Sequence, residues 1–269
     1  MGCVTVSVYG CMWSSRGFMA KIELLNNITH RDLRVNQNYS AVLGHNITSA
    51  MVFVTEFLEV QKEFPILFHK DANSEELQAT ALLGIQKDEN LFLSEEDASR
   101  QKYLGWDANY VPAILARGPF SIGIQTQLID GTEKPAPVIH IDMDHPAVEF
   151  GGNAQLFLEN GGGSEYLNGI SNTLNLIRDG MHLTKVMLSV FDQYQLLEDV
   201  IIDIQLDNGD KFKISGFKTI HADRLSELKG EALERLSRAG FLQAAYFVVA
   251  SLSNIKKLIE IKNRRLGAR

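Results

Sequence analysis

The chain has almost no cysteine. Of its 269 residues only Cys3 and Cys11 carry a thiol, and both fall within the first eleven positions. From Met19 onward there is none, which excludes a disulfide framework, a Cys-ligated zinc and a thiol nucleophile from the bulk of the protein. No run reaches the roughly 18 consecutive apolar residues that a transmembrane helix needs. The longest apolar-rich stretch, residues 241–252, is interrupted by Gln243 and reads as a buried helix. Basic charge is also short. The 26 Lys and Arg face 33 Asp and Glu, leaving a net charge of −7, which argues against a general polyanion-binding surface and hence a nucleic-acid partner. Catalytic signatures are missing too. No Lys-Ser or Lys-Thr follows Gly161-Gly162-Gly163, no Gly-x-Gly-x-x-Gly opens a helix after a strand, and there is no Gly-x-Ser-x-Gly elbow.

What is present is an ordinary globular composition, 45% hydrophobic. It excludes global disorder and collagen-like or low-complexity architectures. Residues 1–18 differ in character from the rest of the chain. Their only cation is Arg16, so they lack the basic start of an export signal, and the myristoylation pattern fails at Val6. They are expected to be an extension or a start-site artefact, with Met19-Ala20-Lys21 as the natural start and the cytoplasm as the compartment.

Residues 22–143 carry mostly strand-like signals. Short apolar runs at 49–54, 64–69, 77–85 and 91–93, separated by turn residues, predict an antiparallel meander, with a short helix near 55–62. Residues 120–128 and 138–143 predict two more strands, joined by the turn segment Asp130-Gly131-Thr132-Glu133-Lys134-Pro135. After a Gly-rich stretch, Leu167, Ile170, Leu174, Ile177, Met181, Thr184, Leu188 and Phe191 recur at three and four, the spacing of one helical stripe, with Ser164 as N-cap. Ile202, Ile204 and Leu206, then Asn208-Gly209, then Phe212 and Ile214 predict a hairpin with a type I′ turn. Two helices, 223–237 and 241–263, close the chain. The expected fold is α+β: a β-rich N-terminal half, then long helices and a late hairpin, in one compact domain over 19–269.

Two clusters offer chemistry. In Val138-Ile139-His140-Ile141-Asp142-Met143-Asp144-His145-Pro146, strand alternation places Ile139, Ile141 and Met143 on one face and His140, Asp142 and Asp144 on the other. His140, Asp142, Asp144 and His145 are candidate ligands for a divalent metal such as Zn, Mn or Fe(II). A wet strand face produces the same pattern, so no cofactor is assigned. The second cluster is Gly105-Trp106-Asp107-Ala108-Asn109-Tyr110-Val111-Pro112, followed by Arg117. Trp106, Asp107, Tyr110 and Arg117 are candidates for a ligand platform of stacking rings and a guanidinium. The alternative is an aromatic anchor that pins a loop to the core. The basic tail, Lys256-Lys257 with Lys262, Arg264, Arg265 and Arg269, complements a helix C-terminus or contacts an anionic surface weakly.

Several phrases read in order resemble the SapC family of bacterial proteins. They are Leu25-Asn26-Asn27, His30-Arg31-Asp32-Leu33-Arg34-Val35, Glu63-Phe64-Pro65-Ile66-Leu67-Phe68-His69-Lys70-Asp71, Leu82-Leu83-Gly84 and Glu89-Asn90-Leu91-Phe92-Leu93. The Trp106 and His140 segments follow, with Arg117-Gly118-Pro119-Phe120 between them. Gly240-Phe241-Leu242-Gln243-Ala244-Ala245-Tyr246 and Leu252-Ser253-Asn254 complete the set. The resemblance covers about residues 19–265. It implies a surface-layer or cell-envelope association, through the family's name, and a link to nutrient uptake, but no reaction, cofactor or catalytic residue. The expectation is an accessory or binding protein with an unknown protein or small-molecule partner. The alternative is a metal-dependent enzyme built on the His140 cluster.

Overall fold

The computed structural model describes residues 21–71, 74, 76–94, 103–129, 132–149 and 151–267. The expectations for residues 1–18, for the Asp130-Gly131 turn and for Arg269 lie outside the described residues. The chain divides into two compact units. The first takes the described part of Met1–Asn38 together with Ala116–Arg178, and the second takes Tyr39–Leu115 with the described part of Asp179–Arg269.

In the first unit, strands β1 (Ile22–Leu24), β6 (Phe120–Ile129) and β7 (Thr132–Asp142) form an antiparallel sheet in the order β1-β7-β6. A two-stranded ladder joins β2 (Arg34–Val35) to β8 (Ala154–Gln155). The hairpin is longer than the sequence suggests. β7 starts at Thr132, six residues before the expected position, because pairing continues out to Ile129↔Thr132. Pro135 and Pro137 lie inside this strand. They are tolerated because odd-numbered residues of β7 turn their N–H and C=O groups away from β6: the Ile139 carbonyl accepts from Leu25 N–H at 2.9 Å. β1 covers only residues 140–142 of β7, so the donors that proline lacks would have met an open edge.

The second unit holds a five-stranded antiparallel sheet in the order β3-β5-β4-β10-β9. Its strands are β3 (Ser49–Met51), β4 (Ile66–Lys70), β5 (Leu77–Leu82), β9 (Leu197–Gln205) and β10 (Lys211–Ile220). β5 lies between β3 and β4, so the strands are antiparallel but not in chain order. In β4, Ile66, Leu67 and Phe68 are consecutive and all buried; a strand covered on both faces reads as a continuous apolar run. Residues 91–93 form a buried turn instead of a strand, tied down by a single bridge from Leu93 to Trp106.

After the one-turn helices α1 (Phe57–Val60), α2 (Ala113–Ala116) and α3 (Pro146–Glu149), helix α4 (Glu165–Gln193) runs 29 residues. Ser164 caps it, accepting from Leu167 N–H at 3.2 Å. The expected stripe is buried except at Met181, which is 39% exposed. Gly180 takes the inward position instead. A Cβ there would sit 2.5 Å from Phe53 Cβ and Thr55 Oγ1, so the helix turns its smallest residue toward the closest approach. One helical turn later Thr184 Oγ1 accepts from Val54 N–H at 2.9 Å.

The β9–β10 hairpin forms as expected, with a different turn. Gly209 N–H donates to the Leu206 carbonyl and Leu206 N–H to the Asp210 carbonyl, both at 2.9 Å. Gly209 has φ 91° and Asn208 is not left-handed. This is a three-residue loop ending in a glycine bulge; a type I′ turn would need both central residues at positive φ. The closing helices are also more divided than expected. They are α5 (Ala222–Ser226), α6 (Gly230–Arg238), α7 (Phe241–Ser251) and α8 (Ile255–Gly267). Gly230 at φ 57° interrupts the first pair, and a 3-10 turn over Leu252–Asn254 interrupts the second. Among the described residues no helix is long and apolar enough to cross a membrane.

Candidate functional site

The His140 segment spans the end of β7 and the start of a one-turn helix, α3 (Pro146–Glu149). Of the three apolar residues expected in the core, Ile141 is fully buried, and Ile139 and Met143 are half-buried. His140 faces Gly123 on β6, where a Cβ would lie 2.5 Å from Cε1 and 2.7 Å from Nδ1. The glycine is what seats the ring. Burial lowers the His140 pKa, and among the described residues its buried Nδ1 has no hydrogen-bond partner, an arrangement that suits a neutral ring with its proton on Nε2.

The other three candidates accept backbone N–H groups, Asp142 and His145 from two residues onward and Asp144 from the distant Lys21. Asp142 Oδ1 accepts from Asp144 N–H at 3.1 Å, and Asp144 Oδ2 accepts from Lys21 N–H at 3.0 Å. His145 Nδ1 accepts from Ala147 N–H at 3.1 Å, the geometry of an N-cap, with Pro146 at the first helical position. Burial lowers the His145 pKa, with Arg117 adding to the effect against Asp142. Asp-x-Asp-His-Pro is thus a turn and cap sequence as much as a donor set. Among the described residues no group of three or more His, Cys, Asp and Glu side chains is placed to hold a metal ion.

Where β1 leaves the β7 edge, a cavity of about 330 Å³ is lined by Leu24, Leu25, Gln125, Val138, Ile139, Phe157 and Leu167. None of these side chains titrates, and Gln125 supplies the only polar one. It is open to solvent, and its wall is polar as well as apolar. Nearby in sequence, His30 is 3% exposed and accepts from Asn26 N–H through Nδ1 at 3.3 Å. Its Nε2 lies 3.2 Å from Glu23 Oε2, a partner seven residues upstream on the neighbouring strand.

In the second unit Trp106 is 1% exposed. It stacks on Phe92 at 6.0 Å and 26°, with Phe64 and Tyr39 at 6.2 and 5.6 Å. Its Nε1–H donates to the Tyr110 carbonyl at 2.8 Å. The ring anchors the loop to the core, contributing about 2–3 kcal/mol by its burial. Asp107 is exposed and donates its N–H to the Phe92 carbonyl at 2.8 Å. Arg117 belongs to the first unit, where its Nη1 donates to the Phe120 carbonyl at 2.7 Å.

Two glutamates absent from the sequence-level candidates hold this loop. Glu56, 2% exposed, accepts from Tyr110 O–H at 2.6 Å and Ala113 N–H at 2.9 Å through Oε2, and from Phe53 N–H at 3.0 Å through Oε1. Burial raises its pKa although all three donors oppose the shift. Tyr110 is pushed up as well, by burial first and by Glu56 second. Glu63 accepts from Asn109 Nδ2 at 2.8 Å and pairs with Lys257 of α8. Burial works against its charge, but the Lys257 and Asn109 hydrogen bonds outweigh it and the pKa falls. The only sequence cue for Glu56 is one acid inside Phe53-Val54-Thr55-Glu56-Phe57-Leu58. Further along α8, Lys262 pairs with Glu89 and Arg265 donates to the Leu91 carbonyl at 2.9 Å. Lys256 and Arg264 remain exposed.

The two shifts give opposite pH dependences. Glu63, lowered, contributes stability present above its ordinary pKa of 4.5 and lost as pH falls through the folded value below it. Glu56, raised, contributes the reverse: folding is favoured as pH falls from above its folded pKa toward 4.5. Acid unfolding of Glu63→Gln should therefore be less steep below pH 4.5 than that of the parent. An identical acid limb would mean that the Lys257 pair is not formed.

The molecule is thus an α+β protein of antiparallel sheets, whose charged motif residues hold its own loops and caps. The family model SapC matches residues 25–258, and the chain belongs to the SapC family. No curated protein and no solved structure matches it significantly.

Proposed function

We propose that this SapC-family protein is an accessory or binding protein of cell-envelope or nutrient-uptake physiology, with no reaction of its own. The observation that carries the reading is how its motif side chains are used. Asp142, Asp144 and His145 accept backbone N–H groups of their own chain, while the adjoining open pocket is lined by side chains that are apolar except for Gln125. The envelope link rests on what the family's name implies. Each of these hydrogen bonds contributes roughly 1 kcal/mol to holding its side chain in place within the fold.

The test is recovery of the native protein from fractionated cells, followed by elemental analysis. The expected result is a metal-free protein that travels with the envelope fraction. Recovery wholly in the soluble fraction overturns the envelope link. Stoichiometric metal that both His140→Ala and Asp142→Ala lose overturns the binding reading in favour of a metal-dependent enzyme.

A further inference from the structure

The open edge of β6 differs from the other long edge in the molecule. β6 spans ten residues, Phe120-Ser121-Ile122-Gly123-Ile124-Gln125-Thr126-Gln127-Leu128-Ile129, with no charged residue and no proline. Among the described residues it pairs with β7 alone. Its odd-numbered residues face β7, since the Pro119 carbonyl accepts from Asp142 N–H at 3.0 Å. The N–H and C=O groups of Ile122, Ile124 and Thr126 therefore point outward. Ile124 is 50% exposed, and Gln125 and Thr126 are exposed beside it.

Natural sheets protect such edges with charge, proline or brevity. β7 has Pro135 and Pro137 on its open side. β1 and β3 are three residues long. β9, the long edge of the other sheet, carries Glu198, Asp199 and Asp203; paired with itself about Ile201 it would set Asp199 against Asp203. β6 has none of these safeguards.

We propose that β6 is a dimer interface, on which a second copy of this chain pairs antiparallel through its own β6. A two-fold axis at Ile124 satisfies the outward groups of Ile122, Ile124 and Thr126; the Phe120 carbonyl already accepts from Arg117. Ile124 exchanges both hydrogen bonds with Ile124 of the other copy, and Ile122 does so with Thr126, on both sides of the axis. The three side chains share one face of the strand, so the seam is a ladder of β-branched pairs, which pack well across strands. The strand is neutral, so self-pairing opposes no like charges. The reading rests on the outward edge of β6 and stands whether or not the binding function holds.

Sedimentation velocity over a concentration series tests it, on the full chain. The parent should dimerise. Ile124→Lys puts two cations in register at a half-exposed position and should weaken dimerisation by about tenfold or more. Ile124→Pro removes an outward donor without touching the β7 ladder and should do the same. An equimolar mixture of Ile124→Lys and Ile124→Asp should recover the dimer. A parent that stays monomeric at the highest concentration reached overturns the proposal. So does a dimer that both substitutions leave intact, or a mixture of the charged variants that stays monomeric.

Discussion

Glu56→Ala should cost about 2–4 kcal/mol of folding stability, read by urea unfolding, a large share of the roughly 5–15 kcal/mol typical of a domain. The carboxylate serves three donors at once: the N–H groups of Phe53 and Ala113 and the hydroxyl of Tyr110. Each buried donor left without a partner costs about 1–3 kcal/mol. The costs do not simply add, because the donors share one acceptor and can relax together. Removing a carboxylate whose charge burial already disfavours returns part of the loss. Glu56→Gln keeps one oxygen but turns an amide toward the remaining donor, so its loss should be intermediate. The Ala113 N–H and the Tyr110 hydroxyl both belong to the loop that carries Trp106, so the loop should loosen before the sheet does. A loss below about 1 kcal/mol for Glu56→Ala would mean that the three hydrogen bonds contribute little beyond what water supplies.

Gly105→Ala should be comparably severe. Gly105 has φ 82°, and a Cβ would stand 2.0 Å from the Tyr39 carbonyl oxygen and 3.1 Å from its carbon. The obstacle is backbone, held by the Tyr39 N–H bond to the Leu104 carbonyl at 2.8 Å, so no rotamer change relieves it. Left-handed strain of about 1–2 kcal/mol and overpacking of about 1–3 kcal/mol sum to about 2–5 kcal/mol. Gly118→Ala is the control: φ is 52°, but nothing lies within 4 Å of the added Cβ, so only strain remains. Fluorescence separates the two variants further. Gly105 precedes Trp106, and displacing the loop should shift its emission to the red, whereas Gly118→Ala should leave it unchanged. Equal losses in both variants would contradict the close approach to Tyr39.

Much of the fold is legible because its signals are local. The α4 stripe, the Ser164 cap and the β9–β10 hairpin follow from periodicity and turn chemistry within a few residues. Met181 departs from the stripe because three-and-four spacing cannot see that Gly180 meets Phe53 and Thr55, more than 120 residues away in the chain. The early start of β7 is hidden by its two prolines, which signal a turn unless the missing edge partner is known. The site is harder. His140, Asp142, Asp144 and His145 do lie on a strand and just beyond its end, but a sequence does not tell whether a carboxylate serves a ligand or a nearby backbone N–H. Glu56 and Glu63 have no signature, because all their partners but Phe53 lie 46 to 194 residues away.

Whether the His140 segment is scaffold or metal centre is most directly read from thermal unfolding of the parent and Asp142→Asn, each with chelator and with excess Zn or Mn. Asn presents the same oxygen to Asp144 N–H that Asp142 does, so it preserves the turn while removing the charge a metal would need. A metal bound to the native state raises the melting temperature in proportion to the logarithm of its concentration over Kd. If the segment is scaffold, all the curves coincide within error. A metal-dependent rise in the parent that Asp142→Asn abolishes would contradict it.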